Sequence, residues 1–286
     1  GFSFKDPNLD YILSRIRITF QQNGRQHYCI FKKVVQESGE QQADFEYKQA
    51  KQRLLIEDLK RFNIRTLLVD EYADITRILQ HIDRAYRRKS LFISGSAAEF
   101  NGWSQADVSE FLFDLGKIVI QRGYRLVSGF GWGISNDLLS GAIEQIYAQR
   151  QGHIQDHLVV RPFPRAIVDQ EKRNALWHEY RKDLISQAGL ALFLFGNKRD
   201  EAGNIIEADG VVKEFDIAQS LDLACLPVGA TGYAAKTLAD SIAAAVADSS
   251  ESDAAKAAFF RLQEKVTKPQ ELLSQIADAL DVIAKR

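Results

Sequence analysis

Two turns of small residues follow strand-like runs of the sequence and suit the binding of an anion. The run "LFISGSA" contains the small residues 94–96, and the run "RLVSGFGWG" ends in a turn with glycines at alternate positions over residues 129–133. Glycine lets backbone N–H groups approach an anion closely, serine adds hydroxyl donors, and a helix that follows such a turn contributes its positive N-terminal end. We therefore expect a phosphate-bearing ligand at these turns. The residues assigned to it are Ser94, Gly95, Ser96, Gly129, Phe130, Gly131 and Gly133.

The glycine pattern does not by itself identify a ligand. Its G-x-G-x-G spacing matches neither the dinucleotide fingerprint G-x-G-x-x-G nor a P-loop, which ends in Gly-Lys-Ser/Thr. Glycines after a strand also serve tight turns, so a purely structural role stays open. If the turn meets phosphate, Gly131→Val should weaken binding more than stability, and the opposite result would support the structural role.

Three charged residues refine the prediction. Arg181, in "HEYRKDL", has the planar fork that suits a diphosphate, and Lys198 supplies a point charge just after the apolar run "LALFLFG". Glu214, in "VVKEFDI", could accept hydrogen bonds from ribose hydroxyls. The alternative for Arg181 and Glu214 is that they are exposed helix residues in weak ion pairs. Three aromatic residues are candidates either for stacking a nucleobase or for core packing: Trp132, Phe163 and Trp177.

The sequence has no recognisable nucleophile-and-base arrangement. It contains no G-x-S-x-G elbow and no H-E-x-x-H motif, and His178 is the only histidine near the expected cleft. We therefore assign no catalytic residue. A nucleotide N-glycosidase could work with carboxylates alone, so Glu214 or Asp209 stays open as a candidate.

The order of the elements predicts what positions these residues. From residue 91 onward strand-like and helical patterns alternate, as in the helix "RNALWHEYRKDLISQAG" followed by the buried strand "LALFLFG". Such alternation is typical of a parallel sheet with right-handed crossovers, in which ligands lie at the carboxyl ends of the strands. We predict an α/β fold over residues 89–248: a Rossmann-like parallel sheet with helices on both faces.

Two flanking segments have a different character. Residues 1–88 contain only two strand-like runs, "HYCIFKKVV" and "RTLLVDEY", which are too few for a covered parallel sheet. We interpret this segment as the C-terminal part of a larger α/β domain. Residues 249–286 follow the polar break "SSESD" and have the pattern of two amphipathic helices. These helices are expected to pack on the sheet or on a partner subunit.

Charge and hydropathy argue against two classes of partner. The 286 residues include 37 Lys plus Arg and 38 Asp plus Glu, so the net charge of -1 provides no general field for nucleic acid or an anionic membrane. The longest apolar run, near residues 190–195, is far too short to span a bilayer, and no charged leader precedes an apolar segment. We expect a cytoplasmic protein with no nucleic-acid and no membrane partner.

Cysteine and histidine usage predicts neither a disulfide nor a metal site. Cys29 and Cys225 lie far apart in strand-like sequence and are interpreted as reduced core thiols. His153 and His157 have helical i, i+4 spacing, but no third ligand lies nearby. The chain begins at Gly1 and contains 0 Met, which indicates a piece of a longer protein.

The motifs and their order resemble a known group of nucleotide-binding domains. Residues from about 90 to 246, with "SLFISGSA", "LVSGFGWGISNDLLSGAIEQIY", "RPFP", "EYRKDLISQAGLALFLFGNK" and "ADGVVKEFDIAQ", resemble the SLOG superfamily, in the branch fused to sirtuin-like or TIR domains in anti-phage systems. "GFSFKDPNLDYILSRIRI", "HYCIFKK" and "RFNIRTLLVD" resemble the C-terminal end of a sirtuin-like NAD hydrolase domain. Together the two segments resemble the ThsA-type proteins of the Thoeris defence system.

This resemblance implies a receptor. In ThsA-like proteins a TIR-domain partner makes a cyclic ADP-ribose isomer, the SLOG domain binds it, and the sirtuin-like domain of a tetramer then destroys NAD. The resemblance assigns Arg181, Lys198 and Glu214 to the signal, with the two turns holding phosphate and ribose. It also implies that NAD is the substrate of the missing catalytic part. The residues that would line an NAD ribose in the intact sirtuin-like domain are Gly1, Ser3 and Asp6.

Two alternatives from other functional classes stay open. Related phosphoribohydrolases of the LOG type have a P-G-G-x-G-T-x-x-E motif, whereas this chain reads "FGNKRDEAGNIIEADGVVKEFDIA" and lacks the double glycine and the threonine. Hydrolysis of nucleoside monophosphates is therefore disfavoured. A DprA-like protein that binds single-stranded DNA has a similar glycine turn, but the near-neutral charge here argues against it.

Overall fold

The protein consists of two compact units. The computed structural model describes residues 26–149, 153–163 and 169–284, together with Asn8, Tyr11, Ile12 and Arg15. The units are Gly1–Ile82 and Asp83–Arg286. The predicted NAD-contacting residues, Gly1, Ser3 and Asp6, lie outside the described residues. The domain boundaries predicted at residues 88 and 248 stay predictions, and residues 249–286 fall within the second unit.

The first unit contains a two-stranded parallel sheet. Both strand-like runs of the sequence form strands that pair in register, from His27 opposite Ile64 to Lys32 opposite Val69. Several apolar side chains of this sheet are exposed, including Tyr28 and Leu68. The last helix of this region continues past residue 82 into the second unit. The elements are β1 (His27–Lys32), α1 (Gln42–Lys60), β2 (Ile64–Val69) and α2 (Ala73–Arg87).

The second unit is built on a five-stranded parallel sheet. Its strand order is β5-β4-β3-β6-β9, and every neighbouring pair is parallel. The predicted α/β class and the Rossmann-like parallel sheet are therefore confirmed. The strands are β3 (Ser90–Ser96), β4 (Arg125–Ser128), β5 (Leu158–Val160), β6 (Leu190–Phe195) and β9 (Ala224–Pro227).

Helices cover both faces of this sheet. Alternate side chains of a strand point to opposite faces, so Leu91 and Ile93 of β3 join one core while Phe92 joins the other. The first core includes residues of α3, α4, α9 and α10, and the second includes residues of α6, α7 and α8. The helices are α3 (Gln105–Gln121), α4 (Ser135–Gln149), α5 (Ile154–His157), α6 (Gln170–Ile185), α7 (Asp209–Ser220), α8 (Tyr233–Asp248), α9 (Asp253–Arg261) and α10 (Glu271–Ala284).

Local signals in the sequence account for helix ends. The Ser104 hydroxyl accepts a hydrogen bond from the Asp107 backbone N–H and caps α3, as its position before an amphipathic stretch predicts. At the other end Gly123 has φ of 76°, a left-handed conformation that favours glycine after a helix. This helix therefore begins and ends where the sequence indicates.

The C-terminal helices pack on the second unit itself. Leu272, Ile276 and Leu280 of α10 are buried in the same core as α3 and α4. The Tyr124 hydroxyl donates to the Leu280 carbonyl oxygen at 3.0 Å, which fixes α10 near the start of β4. Within the described residues α10 therefore packs beside α3 in the core of the second unit, and the choice between this unit and a partner subunit stays a prediction.

The sheet topology creates a binding position between β3 and β6. The chain runs outward from β3 through β4 to β5, and β6 then returns to the other side of β3 and leads to β9. In open α/β sheets, ligands bind where the strand order reverses, outside the carboxyl ends of the strands. The residue triplet 94–96 ends β3, and Lys198 follows β6, so both lie at this reversal. Among the described residues no helix is long and apolar enough to cross a membrane.

Candidate functional site

Three of the predicted residues meet in a buried polar cluster. The Ser94 hydroxyl donates to Glu214 Oε2 at 2.6 Å, and Arg181 Nε donates to Glu214 Oε1 at 3.4 Å. Ser94 lies in β3, Arg181 in α6 and Glu214 in α7, so three separate elements supply the cluster. The side chains of Arg181 and Glu214 are only 11% and 12% exposed. The alternative that they are exposed helix residues is therefore wrong, although they do form an ion pair.

Burial dominates the electrostatics of Glu214. Removal from water raises the pKa of its carboxyl, and the Ser94 hydrogen bond and the Arg181 charge only partly oppose that rise. Arg181 has five N–H donors, of which the Nε donor is used by Glu214. A Cβ built on Gly210 would lie 3.4 Å from Arg181 Nη2, so the guanidinium lies close to the first turn of α7. The cluster thus presents a cation at the positive end of a helix, which favours an anion.

Aromatic rings surround the Arg181 guanidinium. Its Cζ atom lies 4.8 Å from the Phe163 ring centroid and 5.7 Å from the Trp177 ring centroid. The two rings meet nearly edge to face, with centroids 5.8 Å apart. Trp132, the third aromatic candidate for base stacking, is 71% exposed on the glycine turn. Phe163 and Trp177 therefore contact the arginine, and Trp132 presents its ring to solvent.

The glycine turn after β4 packs against the backbone at the end of β3, because Ser94, Gly95 and Ser96 belong to that strand and do not form the turn that the sequence predicted. A Cβ on Gly131 would lie 1.9 Å from the Gly95 carbonyl oxygen, and one on Gly133 would lie 2.0 Å from the Ala97 carbonyl oxygen. The Ala97 N–H, directly after β3, donates to the Trp132 carbonyl oxygen at 2.9 Å and joins the strand end to the turn. These contacts require glycine at 131 and 133 with or without a ligand. The ligand-binding role of the turns stays a prediction.

Phe130 is the unusual residue of the second turn. Its φ is 61°, in the left-handed region that bulky residues rarely adopt, and its side chain is 44% exposed. The Phe130 N–H donates to the Ser128 hydroxyl at 3.3 Å. Backbone strain of this kind is concentrated at binding and active sites. Phe130 is therefore held at the edge of the site with its ring accessible.

Sequence reasoning placed Asn197 at the end of a strand but assigned it no role, whereas its side chain joins the end of β3 to the chain after β6. Its Oδ1 accepts from the N–H groups of Ala98 and Glu99 at 2.8 and 3.0 Å, and its Nδ2 donates to the Glu99 carbonyl oxygen at 2.9 Å. The Ser96 hydroxyl also donates to the Asn197 carbonyl oxygen at 3.0 Å. The side chain is fully buried. An asparagine directly after the apolar run "LALFLFG" was the available signal for a buried polar residue.

A short hairpin places Lys198. Strands β7 (Asn197–Arg199) and β8 (Ile205–Glu207) pair in antiparallel fashion, an element that sequence reasoning also missed. Lys198 is 45% exposed and pairs with Asp209, the first residue of α7. Asp209 also lies 3.1 Å from Lys213 Nζ. The Lys198 ammonium thus adjoins the helix that carries Glu214, but it stays in contact with water.

The Lys198–Asp209 pair should be visible in a pH titration. The hydrogen bond from Lys198 is the largest cause that lowers the Asp209 pKa, from 3.8 to about 2. In Lys198→Met the pKa should return toward 3.8, and in the control Lys213→Met it should move less. NMR titration of the labelled carboxyl measures both shifts. A wild-type midpoint near 3.8 would show that the pair does not form.

The sign of the Asp209 effect on stability follows from the same shift. Because the pKa is lower in the folded chain than in the unfolded chain, the folded state releases this proton more readily. The Asp209 carboxylate therefore contributes to the free energy of unfolding above about pH 4, and this contribution is lost as the pH falls toward 2.

The remaining titratable candidates provide no further centre. Cys29 and Cys225 are both free thiols. Burial raises the pKa of the Cys225 thiol to about 12, which disfavours the reactive thiolate. Within the described ranges, no three His, Cys, Asp or Glu side chains are grouped so that they could hold a metal ion.

The first unit has an open cavity of about 930 Å³ beside β1 and α1. Its walls carry charges of both signs, and two of its lysines are paired: Lys48 Nζ lies 2.7 Å from Glu40 Oε1, and Lys32 Nζ lies 2.7 Å from Glu71 Oε2. No described residue of the predicted ligand site lines this cavity. The candidate site is therefore the buried polar cluster of the second unit.

Comparison with known proteins matches this architecture. Residues 74–283 match the STALD family, which is described as the Sir2- and TIR-associating SLOG family. The chain is 46% identical over 293 residues to the NAD(+) hydrolase ThsA of Acinetobacter baumannii (strain 532279), covering 99% of the chain and 60% of that protein. It is 43% identical over 238 residues to the NAD(+) hydrolase ThsA of Bacillus cereus (strain MSX-D12), covering 83% of the chain and 49% of that protein. The chain thus spans about half to three fifths of the length of these relatives.

Proposed function

Because this chain belongs to the Sir2- and TIR-associating SLOG family, we propose that it is the sensor portion of a ThsA-like protein of the Thoeris anti-phage defence system. It binds a cyclic ADP-ribose isomer that a TIR-domain protein produces. Binding controls an NAD-hydrolysing sirtuin-like domain, whose C-terminal part is the first unit and whose substrate is NAD. The working assembly is a homo-oligomer, a tetramer by resemblance to the family.

The buried cluster of Ser94, Arg181 and Glu214 is the observation that carries this proposal. Arg181 offers N–H donors to phosphate oxygens beside the N-terminus of α7, where an anion is favoured. Glu214 supplies carboxylate oxygens that can accept hydrogen bonds from ribose hydroxyls. Lys198, on the adjoining hairpin, adds a second positive charge. A ligand with both phosphate and ribose groups satisfies all of these residues.

A cyclic ligand suits a sensor for two physical reasons. Its ring restricts the number of conformations before binding, so it loses less conformational entropy when it is bound. Binding then becomes a signal when the ligand has different affinities for two arrangements of the oligomer. The ligand itself needs no chemical change for this role.

One observation favours a second candidate, a nucleotide phosphoribohydrolase. The pKa of the Glu214 carboxyl is raised by burial, which is a property of carboxylic acids that donate protons in catalysis. In this role Glu214 would protonate or assist the leaving base of a nucleotide. The missing motif of the LOG-type enzymes argues against it, and product analysis separates the two functions.

Calorimetric titration tests the proposal directly. The chain would be titrated with cyclic ADP-ribose isomers, ADP-ribose, NAD and AMP, and the contents of the cell would then be separated by chromatography. Selective binding of one cyclic isomer that is recovered intact supports the sensor. Free base in the chromatogram supports the hydrolase instead. Absence of binding by every compound in the series rejects the proposed ligand class.

Lys198→Ala should weaken binding of the cyclic ligand by about 3- to 10-fold. The expected loss is modest because the Lys198 side chain is 45% exposed and its charge is screened by water and salt. Lys213→Ala is the matched control, since it removes the other lysine that pairs with Asp209 and should change the dissociation constant less than about 2-fold. Equal losses in both variants would mean that only net charge matters at this edge.

A further inference from the structure

We propose that Phe163 and Trp177 are positioning residues that hold the Arg181 guanidinium in place for an anionic ligand. The inference rests on the proposed function and deepens it, because it assigns roles to two aromatic residues that do not belong to the polar cluster. We call Phe163 and Trp177 the aromatic clamp.

The geometry of the clamp restrains the guanidinium on two sides. The Cζ atom of Arg181 lies 4.8 Å from one ring centroid and 5.7 Å from the other, within the range of cation–π attraction. Because the ring planes are inclined at 74°, the two rings form a corner, and the guanidinium is seated in it. Arg181 is 9% exposed, so water screens these contacts only weakly.

The segment that carries Phe163 is fastened to helix α6 at neighbouring positions. Arg161 pairs with Asp183, and the Tyr180 hydroxyl donates to the Pro162 carbonyl oxygen at 3.1 Å. The Tyr180 ring also packs on the Phe163 ring, with centroids 5.2 Å apart. Phe163 is therefore held against the same helix that carries Arg181 and Trp177, which keeps the two rings in place beside the guanidinium.

Arg181 needs such support because the one ionic contact that it makes among the described residues is long. The Nε–Oε1 distance to Glu214 is 3.4 Å, and one hydrogen bond at one end leaves the guanidinium free to turn about it. An arginine side chain loses substantial rotamer freedom when it binds a ligand, and a guanidinium that is already held loses less. The two rings occupy two sides of the guanidinium, so ligand oxygens must reach its N–H donors from the sides that the rings leave open. The held guanidinium therefore favours a ligand that carries a phosphate or diphosphate group.

This arrangement also distinguishes positioning from base stacking. A nucleobase that stacked on Phe163 would have to displace the Arg181 guanidinium that already lies over this ring. If Trp177 acts through Arg181, its effect on binding must disappear when the guanidinium is removed. If Trp177 stacks on the base, its effect must persist without the guanidinium.

A double-mutant cycle separates the two roles. Trp177→Leu should weaken binding of the cyclic ADP-ribose isomer by about 3- to 10-fold, whereas Trp177→Phe, which keeps an aromatic face, should change it less than about 2-fold. In an Arg181→Met background, Trp177→Leu should have almost no further effect. An equal loss in both backgrounds, or no loss in the wild-type background, would overturn the proposal. Arg173→Gln is the control, since Arg173 contacts the Trp177 ring at 5.4 Å but has no place in the polar cluster.

A readout without ligand keeps the test independent of the proposed function. Aromatic ring currents should shift the Nε–H NMR signal of Arg181, and Trp177→Leu should move that signal toward the position of an exposed arginine. A signal unchanged by Trp177→Leu would show that the ring does not hold the guanidinium. If the wild-type chain binds none of the cyclic isomers, the proposed function fails, and the NMR signal still decides whether the clamp exists.

Discussion

Arg181→Ala should reduce the affinity for a cyclic ADP-ribose isomer by about 10- to 150-fold, which corresponds to about 1.5–3 kcal/mol. The loss is expected to be the largest of any single charge removal at the site, because Arg181 is 9% exposed and its contacts to phosphate oxygens would be poorly screened. Calorimetric titration of the wild-type chain and the variant measures the difference.

Two matched variants make this result specific. Arg181→Lys keeps the positive charge but loses the planar fork, so it should recover only a small part of the affinity. Arg122→Ala removes an arginine that pairs with Asp281 at 3.0 Å elsewhere on the second unit, and it should leave binding unchanged. Unchanged binding by a folded Arg181→Ala variant would remove Arg181 from the site.

The same variant should also change how stability depends on pH. Glu214 has a pKa that is raised in the folded chain, so the folded state binds the proton more tightly than the unfolded state. The free energy of unfolding therefore falls as the pH rises through the folded-state pKa. Removal of Arg181 leaves the carboxylate buried with Ser94 as its neighbour and should steepen this fall. Urea unfolding at a series of pH values measures how the free energy of unfolding depends on pH in the wild-type chain and in the variant. Equal dependences in the two proteins would show that Arg181 does not stabilise the Glu214 carboxylate.

Gly131→Ala should lower the free energy of unfolding by about 2–3 kcal/mol, and Gly131→Val by more. The added Cβ would stand 1.9 Å from the Gly95 carbonyl oxygen, and this atom belongs to a backbone that is itself packed against Leu194. The turn and the end of β3 can accommodate the methyl group only by moving apart. A loss of stability that exceeds the loss of binding would support the structural role of this turn.

A second glycine provides the control for this substitution. A Cβ on Gly210 would meet only the Nη2 atom of Arg181, at 3.4 Å, which is an ordinary contact with the end of a flexible side chain. Gly210 lies in the first turn of α7, where alanine favours the helix over glycine. Gly210→Ala should therefore leave the free energy of unfolding unchanged or raise it. Equal stability of the Gly131 and Gly210 variants in urea would contradict the close packing of the turns.

The elements of the second unit were predictable because their signals are local. The fully buried strand β6 reads as an unbroken apolar run, Leu190–Phe195, and the alternation of such runs with amphipathic stretches indicates a parallel sheet. Ser104 and Gly123 mark the two ends of α3 through bonds and dihedral angles that involve only near neighbours. Hydrophobic periodicity and capping act within a few residues, so one sequence is enough to locate them.

The hairpin β7–β8 was missed because almost no local signal in the sequence indicates it. Its strands have 3 residues each, too few for periodicity to register, and its turn residue Gly203 lies among polar residues that suit any loop. Its partner contacts are also distant in sequence, as Asn197 bonds to the backbone 98 and 99 residues earlier. No local pattern encodes such a contact.

The sequence by itself determined the α/β class, the order of the elements and the residue types gathered at the carboxyl ends of the strands. Only the tertiary structure decided that β6 pairs with β3, and thereby that the Ser94 hydroxyl meets a carboxylate 120 residues away. Packing likewise decided that Arg181 and Glu214 are buried partners, that Phe163 and Trp177 face the guanidinium, and that Gly131 rests on Gly95. Secondary structure depends on neighbours along the chain, whereas strand order, burial and side-chain contacts depend on which distant surfaces exclude water together.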